Sequence, residues 1–245
     1  MIIHDNVICG DGSVEGAGSF IKPSAKMQWG CTFMQALKEK YVMVSSEELM
    51  DRNDLTFGDT AYKVETKGFE KVFKKQSQLQ NLVEVGLPLL NIAEAGDTEE
   101  IRHHVPNIMD LDLSRNLISC WKTVASICVA LERLESLRLG SNRFAPLKEP
   151  LKISAFPQLK ALSLDKSLIP WKEVALLELQ LPVLESLHLN HNGLKAFYDG
   201  QNALVHGFRN LKWLNLESNA IQSWDEVHRF SELPRYILLD YIWCS

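Results

Sequence analysis

Among the seven histidines and five cysteines of this sequence, two pairs have a spacing that raises the question of chemistry. His103 and His104 are adjacent, and imidazole nitrogens are common metal ligands. Neighbouring side chains point in different directions, so we interpret the pair as part of a polar loop before a strand at Ile108. Cys120 and Cys128 lie on or beside a helical apolar stretch. Because nothing basic is placed to activate either thiol, we predict that both are buried and unreactive.

A glycine-rich stretch, CGDGS at residues 9–13, could in principle hold a phosphate group through its backbone N–H groups. It lacks the GxxxxGK[ST] pattern and has no helix signal after it, so we predict no phosphate-binding loop. No other set of residues has the spacing of a catalytic site. The sequence therefore predicts no catalytic residues, no metal site and no cofactor, and a protein that is not an enzyme.

The composition disfavours several classes of protein. With 245 residues, 46% of them hydrophobic and 23% charged, the chain can form a large core. A formal charge of −5 disfavours binding to nucleic acid. The sequence has neither a run of about 18 apolar residues nor the pattern of a signal peptide. Five scattered cysteines without CxxC spacing favour reduced thiols. We therefore predict a cytoplasmic protein that binds neither nucleic acid nor membrane.

An internal repeat supplies the elements that must position any binding residues. Six segments follow the pattern Leu-x-x-Leu-x-Leu-x-x-Asn-x-Leu, with some substitutions, at steps of 25 to 27 residues. They begin at Leu82, Ile108, Leu134, Leu159, Leu184 and Leu211, and an incomplete seventh begins at Tyr236. This period is typical of leucine-rich repeats. It predicts an α/β solenoid with a curved parallel sheet and helical or irregular return segments.

Each part of the repeat has a predicted structural role. The Leu-x-Leu core predicts a short strand with alternate side chains buried, and the Asn predicts a hydrogen bond to the backbone where the chain turns. A phrase with Trp and Val then recurs in NLISCWKTV, SLIPWKEV and NAIQSWDEV. We predict that Trp121, Trp171 and Trp224 are buried packing residues at the start of the return segments, and that WKTVASICVALERL is helical.

The residues between the leucines should point to the concave surface of such a solenoid and form a partner-binding face. Trp213 stands out, because exposed indoles are enriched at interface hot spots. The alternative is that Trp213 packs sideways on His188 and Asn190 and only stabilises the array. The predicted face consists of Asp110, Asp112, Arg138, Ser163, Asp165, His188, Asn190, Trp213, Asn215 and Glu217.

The residues before the repeats carry a resemblance to a known family. DGSVEG followed by GSFIKP resembles the closing part of a CAP-Gly domain. FMQALKEKYV followed by VETKGFEKVFKKQSQLQNL is similar to the segment that joins this domain to the repeats in the tubulin-folding cofactor E family. The CAP-Gly loop, Gly-Lys-Asn-Asp-Gly, holds the acidic, aromatic C-terminus of α-tubulin. Asp11 and Gly12 match its end, whereas Cys9 and Gly10 stand where Lys and Asn would be. The resemblance implies a small CAP-Gly-like remnant with site residues Asp11, Gly12, Gly18, Phe20 and Lys22.

The resemblance also implies a domain order and a function. Residues 1–30 would form the partial CAP-Gly-like segment, 31–80 a helix and linker, with the helix from about Thr32 to Tyr41, and 81–245 the repeats. The chain would be a non-enzymatic chaperone, cytoplasmic and associated with the cytoskeleton. It would bind α-tubulin and act with other tubulin-folding cofactors in assembling or dismantling the αβ-tubulin dimer.

Periodicity alone leaves a second function open. A cytosolic leucine-rich-repeat scaffold or phosphatase-regulatory protein of other specificity would show the same pattern. One further expectation comes from the last repeat, whose stretch YILLDYIWCS is apolar. It predicts that the isolated chain self-associates.

Overall fold

The structure of the chain is a computed structural model. It describes residues 30–43, 78–151, 154–197, 207–232 and 238–240. Their main feature is a seven-stranded sheet in which every strand is parallel to its neighbours and the spatial order follows the sequence. Its strands are β2 (Glu84–Gly86), β4 (Asp110–Asp112), β5 (Ser136–Arg138), β6 (Ala161–Ser163), β7 (Ser186–His188), β8 (Trp213–Asn215) and β9 (Leu238–Asp240). Strands β1 (Cys31–Thr32) and β3 (Ile92–Glu94) form a separate parallel pair. The predicted α/β class with a parallel sheet is confirmed.

The register of the sheet puts equivalent residues of successive units side by side. The middle residues of the strands pair with one another, as Leu111 does with Leu137 and Leu187 with Leu214, and these four side chains are buried. The residues before and after each middle residue are half-buried or exposed. Because side chains alternate between the faces of a strand, one face of the sheet packs into the core and the other is open.

We call this second surface the open face. It is made of the first and third residues of β2 and β4–β8, together with the residue two positions after each of these strands. The core on the opposite side contains the leucines of the repeat. Its fully buried members include Leu113, Leu139, Leu164 and Leu189. At about 1.5–3 kcal/mol for each fully buried leucine, packing of successive units against one another stabilises the array.

Buried asparagines hold the turns that follow the strands. The side-chain oxygen of Asn116 accepts hydrogen bonds from the N–H groups of Leu90 (3.0 Å) and Ile92 (3.1 Å) in the preceding unit. Its amide nitrogen donates to the carbonyls of Leu87 (2.8 Å) and Leu113 (2.9 Å). A single side chain thus replaces water for the backbone groups of two adjacent turns, and the predicted role of the repeat Asn is confirmed.

The same position carries another residue in two units, Leu90 in the first and Ser167 in the fourth. Asn142, Asn192 and Asn219 repeat the pattern with hydrogen bonds of 2.8–3.4 Å. The fourth unit has Ser167 instead. Its hydroxyl reaches only the carbonyls of Leu139 (3.5 Å) and Asp165 (3.4 Å). The shorter side chain therefore ties neighbouring turns together less strongly.

Helices form most of the return segments. They are α2 (Thr98–His104), α3 (Trp121–Ala130), α4 (Trp171–Glu178) and α5 (Trp224–His228), with 3₁₀ turns at Leu79–Asn81 and Arg229–Glu232. The side chain of Asp97 caps α2 by accepting from the N–H of Glu99 at 2.9 Å. The other three helices each begin at a tryptophan of the recurring phrase, and the helix predicted for WKTVASICVALERL is confirmed over its first ten residues.

Two of the three tryptophans in the recurring phrase are buried, as predicted. Trp121 is stacked on Phe144, with ring centroids 4.4 Å apart, and Trp171 meets Phe197 and Phe230 edge-on at 5.2 Å and 5.5 Å. In each case the covering ring comes from a later unit of the array. These tryptophans therefore join successive units as well as filling the core.

The prediction that Trp224 is buried is wrong, since 73% of its surface is exposed. Phe144 and Phe197 stand 23 and 26 residues after the tryptophans they cover. The two buried tryptophans of this phrase are the ones that contact an aromatic ring of a later unit.

Trp171 and Trp224 are each followed, two residues later, by a glutamate that accepts a hydrogen bond from a loop of the preceding unit. Glu173 is 4% exposed, and its carboxylate accepts a hydrogen bond from the N–H of Leu147 at 3.0 Å. Glu226 accepts in the same way from the N–H of Phe197 at 2.9 Å. The recurrence of Trp-x-Glu in two units thus has a structural reason that is separate from partner binding.

The segment before the repeats packs against the first unit. Helix α1 (Phe33–Lys38) starts at a capping box of Thr32 and Gln35, and a single π turn, Glu39–Met43, follows it. The predicted helix from Thr32 to Tyr41 is thus present. The Tyr41 hydroxyl accepts from the N–H of Gly86 at 3.2 Å, so this segment satisfies part of edge strand β2.

Candidate partner-binding face

The open face brings the sequence-predicted residues of the strands together. Arg138, Ser163, His188 and Asn215 are aligned in register on β5–β8, and Asp112 continues this row on β4. A second row runs from Asp110 through small residues to Trp213. Its members are Asp110, Ser136, Ala161, Ser186 and Trp213.

Trp213 stands at the edge of a hollow. Half of its surface, 50%, is exposed, and its neighbours in the row, Ser186 and Ala161, are too small to cover an indole. The hollow has a volume of about 410 Å³, and His188 and Asn215 from the other row also line it. A volume of this size is at the lower end of the range of small-molecule pockets, about 300–1,000 Å³, and also accommodates one or two side chains of a protein partner.

Ion pairs and a hydrogen bond order the surroundings of this hollow. Lys160 pairs with Glu135 at 2.9 Å, and Lys212 pairs with Glu185 at 2.7 Å, each across two adjacent units. On the face itself, the Ser186 hydroxyl lies 3.0 Å from Nε2 of His188. These exposed pairs contribute little stability, about 0–1 kcal/mol each. They do neutralise the lysines at the edge of the hollow.

One further ion pair lies on the open face. Arg138 Nη2 and Asp110 Oδ2 are 2.8 Å apart on neighbouring strands. Both side chains remain partly exposed, with relative exposures of 48% and 28%. The positive charge of Arg138 is therefore compensated by the carboxylate of Asp110 on the same surface.

Four of the predicted face residues also hold the backbone. Asp165 accepts a hydrogen bond from the N–H of Asn190 at 2.7 Å. The N–H of Glu217 donates to Asn190 at 2.8 Å and to Asn215 at 3.1 Å. Asp112 accepts from the N–H of Ser114 at 2.8 Å. Truncating any of these four would disturb a turn as well as the surface, so a loss of binding in such a variant would not identify a contact. Their role in partner binding stays a prediction.

Sequence reasoning missed four residues around the hollow and one at the far end of the open face. Ala161 and Ser186 occupy the same repeat position as Trp213, and Lys160 and Glu185 precede them. Glu84 holds this position in β2 and is exposed. Applying the repeat pattern to every strand, and to the residue before each strand, would have found all five. The small residues carry neither a charge nor an aromatic ring that would mark them as binding residues.

The two histidines lie in the last turn of α2, so the expectation that they belong to a polar loop is wrong. Their rings meet edge-on with centroids 5.2 Å apart, and Nδ1 of His104 is 2.9 Å from the carbonyl of Glu100. Helix formation is explained by the Asp97 cap and by Ile101, which is fully buried. No group of three or more potential metal ligands occurs in the described ranges.

Two of the described cysteines, Cys31 and Cys128, have a raised thiol pKa. Burial raises the pKa of Cys128. The pKa of Cys31 is also raised, mainly by burial and further by the negative charge of Glu39. Its Sγ donates to the carbonyl of Leu90 at 3.1 Å. Cys120 is half-buried rather than buried. A raised thiol pKa lowers the fraction of reactive thiolate at neutral pH.

We predict that Cys128 reacts with iodoacetamide at pH 8 at least about tenfold more slowly in the folded chain than in denaturant. The physical reason is that both burial and protonation protect the thiol. Mass spectrometry of the peptide containing Cys128 measures the labelled fraction over time, and the same peptide in denaturant is the control. Equal rates in the two conditions would contradict the assignment.

Some predicted features fall outside the described residues. Asp11, Gly12, Gly18, Phe20 and Lys22 of the CAP-Gly-like segment are among them, as are residues 44–77 and most of the apolar stretch YILLDYIWCS. In the portion of the chain that is described, no helix combines the length and the apolar character needed to cross a bilayer.

No protein-family model matches the chain. Several individual proteins, however, are similar to it. Tubulin-specific chaperone E of Xenopus laevis is 35% identical over 219 residues, which cover 89% of this chain and 40% of the relative. The Bos taurus protein of the same name is 35% identical over 237 residues, or 92% of this chain and 44% of the relative. Tubulin-folding cofactor E of Arabidopsis thaliana is 30% identical over 228 residues, or 91% and 42%.

These similarities extend along most of the chain and confirm the resemblance to tubulin-folding cofactor E. The chain spans less than half the length of the relatives.

Proposed function

We propose that this chain, which is similar to tubulin-specific chaperone E over about nine-tenths of its length, is a tubulin-folding cofactor that binds α-tubulin. In this proposal it acts in the cytoplasm with other tubulin-folding cofactors, in assembling or dismantling the αβ-tubulin dimer. It holds its partner and catalyses no covalent step. The observation that carries the proposal is the 35% identity with relatives named for tubulin-specific chaperone activity.

The proposal includes an architecture for the binding surface. The seven parallel strands, stacked in sequence order at steps of 25 to 27 residues, would be the sheet of a leucine-rich-repeat solenoid. The open face would be its concave surface. In-register leucines and the Asn hydrogen bonds support this reading. A rigid array of this kind presents an extended surface to a protein partner.

The open face is the surface best suited to such a partner. It offers a half-exposed indole, an adjacent hollow and a line of polar groups across six strands. Indoles at the centre of an interface contribute strongly to affinity because they remove a large apolar area from water. The thiols and histidines of the described residues, by contrast, form no group of three or more potential metal ligands.

Purified chain mixed with purified αβ-tubulin and analysed by sedimentation equilibrium tests the function. We expect a complex at micromolar concentrations. The alternative of a scaffold of other specificity requires that tubulin does not bind while other cytosolic proteins are recovered with the chain. Absence of any complex with tubulin would contradict the proposal.

Replacing Trp213 with alanine should weaken tubulin binding at least about tenfold, which corresponds to about 1.4 kcal/mol. The change removes a half-exposed side chain, so thermal stability should change little. Titration of fluorescently labelled tubulin with each variant measures the dissociation constant.

Trp224→Ala is the matched control, because Trp224 is an even more exposed tryptophan but lies on return helix α5. Its affinity for tubulin should stay within about twofold of that of the unchanged chain. If Trp213→Ala lowers the melting temperature and leaves affinity intact, the sideways-packing alternative for this tryptophan is correct.

A further inference from the structure

The open face carries an excess of negative charge. It has five carboxylates, from Glu84, Asp110, Asp112, Asp165 and Glu217, and one guanidinium, from Arg138. Arg138 already pairs with Asp110. Other basic side chains lie around the face. Lys40 donates to the carbonyl of Gly86 at 2.6 Å, Lys160 lines the hollow, and Arg115 and Lys166 are exposed one position beyond the face, in left-handed turns. On the face itself, carboxylates still outnumber basic side chains five to one.

The hollow beside Trp213 opens on this face. It is lined by one lysine, Lys160, which pairs with Glu135, and by one carboxylate, Glu185, which pairs with Lys212, so these charges cancel. The exposed indole has a negative ring face, which attracts the guanidinium of arginine or the ammonium of lysine. Glu217 follows Trp213 by four residues on the same face. The hollow thus has an aromatic wall on a face that carries more carboxylates than basic groups.

We propose that the open face binds a basic surface on the folded body of tubulin, with a cationic side chain inserted beside Trp213, and does not bind the acidic C-terminal tail. This inference rests on the proposed function, because it takes tubulin as the partner. An acidic tail would bring further negative charge against five carboxylates, and like charges at an interface disfavour a complex. A basic surface meets complementary charge, and an arginine or lysine side chain fits a hollow of about 410 Å³.

Charge reversal at Glu217 tests the inference, because the two possible occupants predict opposite results. Glu217 is exposed, so Glu217→Lys should leave the fold intact, which far-ultraviolet circular dichroism checks. If the partner surface is basic, Glu217→Lys should weaken binding about three- to tenfold at low salt. If the partner is the acidic tail, the same variant should bind more tightly.

The measurement uses two forms of tubulin with the full chain. One is intact, and in the other limited proteolysis has removed the acidic tails. The weakening by Glu217→Lys should be the same for both forms, because the tail is not the group that meets this face. Glu84→Lys, at the far end of the face, should weaken binding in the same direction. Glu149→Lys is the control, since Glu149 is exposed in a return loop, and it should change the affinity by less than about twofold.

Two results would overturn the inference: unchanged or tighter binding of Glu217→Lys to intact tubulin, or an effect that disappears when the tails are removed. If the unchanged chain binds neither form of tubulin, that result contradicts the proposed function and, with it, this inference. The two failures are distinguishable, since the first leaves a complex to be measured and the second does not.

Discussion

Replacing Trp171 with alanine should lower the free energy of unfolding by about 3–5 kcal/mol, the usual range for a large aromatic side chain removed from a core. Trp171 is 5% exposed and contacts Phe197, Phe208 and Phe230, which belong to later units of the array. The change leaves a cavity where successive units meet. The melting temperature should fall by about 10 °C, as measured by circular dichroism during heating.

Trp224→Ala is the control for this prediction, because it removes the same side chain from the same phrase at a position that is 73% exposed. We expect the free energy of unfolding to change by no more than about 0.5 kcal/mol. Equal destabilisation by the two substitutions would show that a following unit covers Trp224. It would also contradict the structural difference between the two tryptophans described above.

Replacing Asn116 with alanine should lower the free energy of unfolding by about 3–4 kcal/mol. The substitution leaves the N–H groups of Leu90 and Ile92 and the carbonyl of Leu87 without the partner that the Asn116 side chain supplies. An unsatisfied buried polar group costs about 1–3 kcal/mol, and partial relaxation reduces the sum. Urea unfolding monitored by far-ultraviolet circular dichroism provides the measurement.

Ser167→Ala is the matched control for Asn116→Ala, since it removes a polar side chain from the same repeat position. The two hydrogen bonds of the Ser167 hydroxyl are long, at 3.4 Å and 3.5 Å. We therefore expect a loss of less than about 1 kcal/mol. A loss for Ser167→Ala as large as that for Asn116→Ala would mean that the length of the asparagine side chain is not what stabilises the turns.

The sequence by itself determined the repeating part of this protein. Leucines at fixed spacing can be buried together only if Leu111, Leu137 and their equivalents lie side by side, so the period predicts both the strands and their register. Asn116 and Asn142 follow from the same argument, because a turn that recurs needs the same backbone groups satisfied each time. The positions of Arg138, His188 and Trp213 on one face follow from the alternation of side chains along a strand.

Only the tertiary structure decided the features that depend on neighbours distant in sequence. Trp171 and Trp224 stand in nearly the same local phrase, yet one is buried and the other exposed, because burial depends on rings contributed by later units. The hollow beside Trp213 likewise exists because small residues from two other units, Ala161 and Ser186, lie next to it.

The hydrogen bonds of polar side chains also depend on residues that are distant in sequence. Asp165 is predicted from the sequence as a residue of the partner-binding face, and the structure also places it against the N–H of Asn190 in the next unit. The carboxylate of Glu173 accepts from the N–H of Leu147 in the preceding unit, a contact that its local sequence does not indicate. A local pattern specifies which face of a strand or helix a side chain occupies. The atoms that meet it there come from segments about 25 residues away, and only the packing of the units brings them into contact.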